Sequence, residues 1–188
     1  MAALTYRGLL KPGLHKLIGF AHRQQGLIVA PRNPLRIDRL SDLKQPGIRY
    51  VNRAHGTGTR VLLDDLLAEA GMTAPDIHGN ARQEPSHTAV AQVVVIGAAD
   101  AGRGIEAAAR EKRLGFVPLT RERYHLVCLK SELPAPPLQA LLRELHSRAW
   151  QAALNNLPGY QGDLALRGKL LSLRAALPWW NNRKPRTD

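Results

Sequence analysis

The chain has 188 residues, 44% of them hydrophobic and 22% charged, which suits a domain with a real core and excludes wholesale disorder. Lys and Arg number 27 against 15 Asp and Glu, a formal net charge of +12. A field of that sign attracts phosphate backbones, acidic lipids and small oxyanions alike, and an arginine-preferring composition accounts for it equally.

The first 23 residues form a short segment with a turn at Pro12-Gly13, and Leu14, Leu17 and Ile18 fit one face of a helical turn. The segment lacks the apolar stretch of a secretion signal. No later run approaches the ~18 apolar residues of a membrane helix, so the cytoplasm is the expected compartment. GLIVA (Gly26 to Ala30) predicts a buried strand stopped by Pro31. Ser41 opens a short helix that ends before Pro46-Gly47, and IRYVN (Ile48 to Asn52) alternates as a second strand. Leu62, Leu63, Leu66, Leu67 and Ala70 share one helical face, with Gly71 as its stop. Ser86 caps a helix running to Gly97, ADAG (99–102) is a brief strand, and Ile105 to Leu114 is helical until Gly115. FVPL and YHLVCL read as two more strands. The lone Cys128 excludes an intramolecular disulfide or a cysteine-rich zinc site and is expected to be a core thiol. Pro137 to Asn156 predicts one long amphipathic helix. Alternating strands and helices imply an α/β domain with a largely parallel sheet. After Asp163 the tail carries six basic residues against Asp188 alone, with Trp179-Trp180. It fits a basic amphipathic helix for a membrane surface or partner, or a helix packed on the domain before a disordered end.

The most informative stretch is a strand, then Gly56-Thr57-Gly58-Thr59-Arg60, then a helix. A helix start exposes unpaired N–H groups and the positive end of its dipole. Glycines allow close approach, Thr57 and Thr59 add hydroxyls and Arg60 adds charge, which together make an oxyanion cradle. A plain glycine-rich turn in which Thr59 caps the helix fits the same spacing. The Lys and spacing of a phosphate-binding Walker loop are absent. Glu84, Ser86, His87 and Thr88 make a second candidate: Ser86 opens another helix whose start forms a potential anion site, and His87 adds a proton-dependent contact or is an ordinary surface residue. Gly102-Arg-Gly104-Ile-Glu-Ala107 fits a dinucleotide fingerprint but lacks a clear strand before it. Carboxylates are scattered, no nucleophile motif is present, and the histidines lack metal-ligand spacing, so neither catalysis nor a cofactor or metal is expected.

Four stretches, QGLIVAPRNPLRI, RYVNRAHGTGTRVLLDDLLAEAG, SHTAVAQVVVIGAADAGRGI and LGFVPLTRERYHLV, resemble the periplasmic-binding-protein-like domain, type II. It is the version fused to helix-turn-helix regulators or molybdopterin-biosynthesis proteins. The resemblance implies an α/β fold of one complete lobe plus part of the second, with a ligand cleft between them. It implies a first-lobe remnant at 1–23, a ligand-binding lobe at 24–128, a returning helix at 129–160 and a basic tail at 161–188. It further implies a cytoplasmic sensor, not an enzyme, for molybdate, tungstate or a molybdenum-cofactor-related ligand. The partners implied are a helix-turn-helix or molybdopterin-biosynthesis protein, with a homodimer as one way to complete the cleft. Carried over residue by residue, the ligand contacts are Asn52, Arg53, Thr57, Gly58, Thr59 and Arg60 on one turn. Ser86 and His87 follow at the next helix start, then Asp100 and Tyr124. Arg103 and Arg32 depart from the pattern, where an apolar residue and Gly are expected. The alternative reading is a fragment of a transcription regulator that binds nucleic acid weakly through its basic tail.

Overall fold

The computed structural model of the chain describes residues 6–162, 165–177 and 180. The backbone divides into two compact units. The first is Arg23–Glu122 with Leu157–Gly159; the second takes 6–22, Arg123–Asn156 and the described residues from Tyr160 onward.

The first unit is a sheet covered on both faces. Its strands are β1 (His15–Val29, from Arg23 onward), β2 (Tyr50–Arg53), β3 (Gln83–Glu84), β4 (Ala101–Ile105) and β5 (Gly115–Leu129, as far as Glu122), in the order β3-β2-β4-β1-β5. β2 runs parallel to both β3 and β4, whereas β1 is antiparallel to β4. The sheet is therefore mixed and not largely parallel. On one face, α1 (Gly58–Glu69) sets Leu63 and Leu67 against Leu27, Val29, Tyr50 and Ala101. On the other, α2 (His87–Val95) and α3 (Glu106–Glu111) set Val90, Ala91, Val94, Ala108 and Ala109 against Ile28 and Val51. Burial on both faces is why GLIVA is a continuous apolar run with no alternation.

Local chemistry sets the helix ends. α1 begins at Gly58, with Thr57 as N-cap accepting from the Arg60 amide, and it stops before Gly71 at φ +65°. Thr57, not Thr59, is the capping residue. Ser86 caps α2 by accepting from the Ala89 amide at 3.0 Å, and Gly97 at φ +67° follows its end. α3 is shorter than its sequence suggests, because Arg113 already takes the left-handed region at φ +54°. β5 is one strand of 15 residues where two were expected. It tolerates Pro118 because it lies at the end of the strand order, where a missing N–H costs no ladder bond. Likewise β1 extends back to His15, through residues expected to form a helical turn.

In the second unit the expected long helix is two, α4 (Pro136–His146) and α5 (Arg148–Asn155). Ser147 sits extended between them, and its hydroxyl accepts from the Trp150 amide at 3.0 Å, so a serine cap starts a new helix. β6 (Tyr160–Gln161) and β7 (Leu170–Leu171) both pair with β1. α6 (Leu173–Ala176) then buries Leu173 and Ala176 beside Leu17. The described part of the tail is thus a short strand and one helical turn packed on the unit, in place of a continuous amphipathic helix. Arg183, Lys184 and Arg186 lie outside the described residues, as does Trp179. Cys128 is half-buried, on β5, and not fully in the core.

Gly26 marks the tightest crossing of β1 and β5, where a Cβ would run into the carbonyl of Val117. Gly26→Ala is expected to lower stability by about 1–3 kcal/mol, as overpacking does. Chemical denaturation of the two proteins measures the difference, and an unchanged midpoint would contradict the close approach.

Candidate functional site

Parallel strands end at a common edge. β2 and β4 pair as Tyr50 to Ala101 and Val51 to Gly102, and β3 pairs with β2 in the same direction. The chain leaves β2 and turns directly into α1 on one face; it leaves β3 and turns directly into α2 on the other. Both helix starts therefore flank the carboxyl edge of these strands, where open α/β sheets bind ligands. The amides of Gly58 and Thr59 precede the first backbone bond of α1, Arg60 N–H to Thr57 C=O at 3.0 Å. Those of His87 and Thr88 precede the matching bond of α2, Val90 N–H to Ser86 C=O at 3.1 Å. Each helix thus offers its positive end there.

Of the residues expected to bind, Arg53, Thr57, Gly58, Thr59, Ser86 and His87 come together at this edge. Thr57 and Ser86 serve as caps. Thr59 is 3% exposed, and its hydroxyl accepts from Gln25 Nε2 at 3.2 Å. Arg53 is buried; its Nη1 donates to the Glu84 carbonyl at 3.0 Å, while its Nε has no hydrogen-bond partner among the described residues. Asn52 is fully buried and structural: its Oδ1 accepts from the Arg53 amide and its Nδ2 donates to Asn80 Oδ1, both at 2.8 Å. Arg60 turns the other way. It pairs with Asp64 at 3.4 Å and lines a separate cavity of about 470 Å³ with His55, His78, Asn80 and Gln83.

Asp100 and Tyr124 engage partners of their own. Asp100 sits just before β4, at the opposite edge, and pairs with Arg49 at 2.7 Å, which holds its carboxyl below the usual range. Tyr124 belongs to the second unit, edge-on to Phe20 with ring centroids 5.4 Å apart. The dinucleotide fingerprint also dissolves. Gly102 and Gly104 are strand residues, where a Cβ would meet Val90 and Ile28 respectively, so their glycines serve packing and not a phosphate turn.

Sequence reasoning did not place Arg23, Gln25, Glu122 or Arg103 in the site. Glu122 accepts from Arg23 Nε and, at 2.8 Å, from Gln25 Nε2. Arg103 lies opposite Leu27, on the α1 face of β4, and is fully buried. None of its three guanidinium nitrogens has a hydrogen-bond partner among the described residues. Burial pushes its pKa down, offset in part by Tyr50 and Glu122. His87 packs on the other face of β4, where a Cβ on Gly104 would stand 3.8 Å from its Nδ1. Burial, then the charges of Arg53, Arg23 and Arg103, hold its imidazole down to about 3, so it is neutral at pH 7. The one signal for Arg103 in the sequence is a charged residue inside an apolar run.

Comparison with known proteins places this geometry in context. The pattern of the PBP superfamily domain matches residues 2–146. The chain is 38% identical over 155 residues to the uncharacterized protein YvgK of Bacillus subtilis, covering 82% of this chain and 49% of YvgK. It thus spans about half the length of that relative. Among solved structures, a substrate-binding protein of Clostridium perfringens with bound phosphate superposes with a TM-score of 0.63 at 14% identity, over 79% of this chain and 72% of that one. The sulfate-binding protein SubI of Mycobacterium tuberculosis gives 0.61 at 17%, over 79% and 59%. At those identities the likeness is one of fold.

The depressed imidazole links stability to pH. An unfolded His takes up a proton below about 6.5, whereas folded His87 resists until about 3. Its contribution is therefore complete above pH 6.5 and is lost as pH falls from there toward 3. Between pH 6.5 and 4.5, above the range of the carboxylates, stability should fall less steeply in His87→Gln than in the parent. Equal slopes in pH-dependent denaturation would contradict the buried, neutral imidazole.

Proposed function

The chain belongs to the PBP superfamily domain family, and on that premise we propose that its first unit is a binding module for a small tetrahedral oxyanion, acting in sensing and not in catalysis. One observation carries the reading. Two helix starts flank one strand edge, and the buried guanidinium groups of Arg53 and Arg103 sit on β2 and β4, the strands that end there, with Arg23 held by Glu122. Such an assembly, desolvated and positive, favours an anion. It is poorly suited to acid–base chemistry, because Glu122 is engaged by Arg23 and Gln25 and His87 titrates far below neutrality.

Molybdate, tungstate or a molybdenum-cofactor-related molecule is the finer form of this proposal. It rests on the resemblance to domains fused with helix-turn-helix and molybdopterin-biosynthesis proteins. A cytoplasmic sensor whose output passes to such a partner follows from the same resemblance. A second reading, weak nucleic-acid binding, is favoured by the +12 net charge.

Thermal unfolding with molybdate, tungstate, sulfate and phosphate separates the two. An oxyanion at about 100 times its Kd should add roughly 2.7 kcal/mol of stability. That gain should disappear when Arg53→Met is combined with His87→Ala. No gain with any of the four anions would sink the sensor reading. Salt-sensitive DNA binding lost on deleting the residues after Asp163 would favour the second.

A further inference from the structure

Arg103 is the most deeply buried charged side chain among the described residues. A guanidinium with no exposed surface and three unpartnered nitrogens is costly to bury, since removing a charge from water is repaid only by an opposite charge and hydrogen bonds. A Leu or Ile would fill the same strand position, between Gly102 and Gly104 and opposite Leu27, at no such cost. What the arginine adds is charge. Arg23 is paired with Glu122 and Arg60 with Asp64, whereas the three guanidinium nitrogens of Arg103 have no hydrogen-bond partner among the described residues. Removing Arg103 would therefore take one unmatched positive charge from the α1 face of β4. Arg103 lies on the α1 face with Gln25 and Thr59, beneath the first turn of α1, so its field acts where the Gly58 and Thr59 amides open.

We infer that Arg103 is the specificity-determining residue of this site, setting it to bind dianionic tetrahedral oxyanions in preference to monoanionic ones of the same shape. The inference rests on the oxyanion reading above. Arg103 acts by charge from within the protein, and its effect on a dianion is about twice that on a monoanion. Because it is buried, salt screens it little, unlike the basic surface.

Tungstate and perrhenate test this, being tetrahedral oxyanions of similar size that carry two charges and one. Calorimetric titration of the full chain should show tungstate bound about 100-fold tighter than perrhenate, from the low-dielectric field of the extra charge. That ratio should be nearly the same at about 0.05 and 0.5 M KCl. In Arg103→Met it should fall to about 10-fold or less, and the ligand-free variant should melt higher than the parent because a buried, unpartnered charge is gone. Arg103→Gln removes the charge while keeping a polar side chain and should lower the ratio likewise, which decides the matter if Arg103→Met does not fold. A ratio unchanged in Arg103→Met, or in Arg103→Gln where that variant decides, overturns the inference and leaves oxyanion binding standing. Failure of the parent to bind either anion overturns both.

Discussion

The direction of β2 constrains everything else in the first unit. Because it runs parallel to both β3 and β4, all three strands finish at one edge, and the chain must climb from that edge into its next helix. The two helices that follow β2 and β3 land on opposite faces, so their starts flank the edge. Had β2 paired antiparallel with β3, the start of α2 would lie at the far edge, and the amides of His87 and Thr88 would point away from those of Gly58 and Thr59. Asp100 shows the converse. It precedes β4, so strand direction puts it at the opposite edge, where Arg49 takes its charge.

That arrangement concentrates positive potential, and the side chains add to it. Several described charged pairs set an exposed arginine on a nearby carboxylate, as in Arg110–Glu106, Arg49–Asp100 and Arg39–Asp42. At the carboxyl edge the arginines are buried instead, and burial, reinforced by the charges of Arg53, Arg23 and Arg103, keeps His87 unprotonated. A neutral imidazole costs the fold less than a fourth cation there. It also leaves the ring available as an acceptor or donor according to tautomer.

The sequence reveals whatever depends on neighbours along the chain. Ser86, Gly71 and Gly97 mark helix ends by their own backbone and hydroxyl chemistry, and each acts as expected. The apolar faces of α1 and α2 are equally visible in the spacing of leucines and valines. Strand direction is not, because it depends on pairing across more than twenty residues of intervening chain, and GLIVA reads the same parallel or antiparallel. Ser147 illustrates a milder failure. The apolar period continues through it, so only a serine in extended conformation, capping the next turn, shows that the helix restarts. At the strand edge, the glycine and hydroxyl residues that open the two helices are legible from their type. Gln25 and Glu122 are not, since their meeting depends on β1 and β5 crossing.

Arg103 joins these two levels. Its presence in an apolar run is plain in the sequence, yet its consequence appears only through register, which sets it opposite Leu27 and beside the core that holds Leu63 and Tyr50. A charge in that position ties stability to electrostatics: an anion that met the guanidinium field would lower the cost of keeping it buried, so affinity and resistance to unfolding would rise together. Without one, the fold carries that cost at Arg103, where no described residue offsets it by a hydrogen bond.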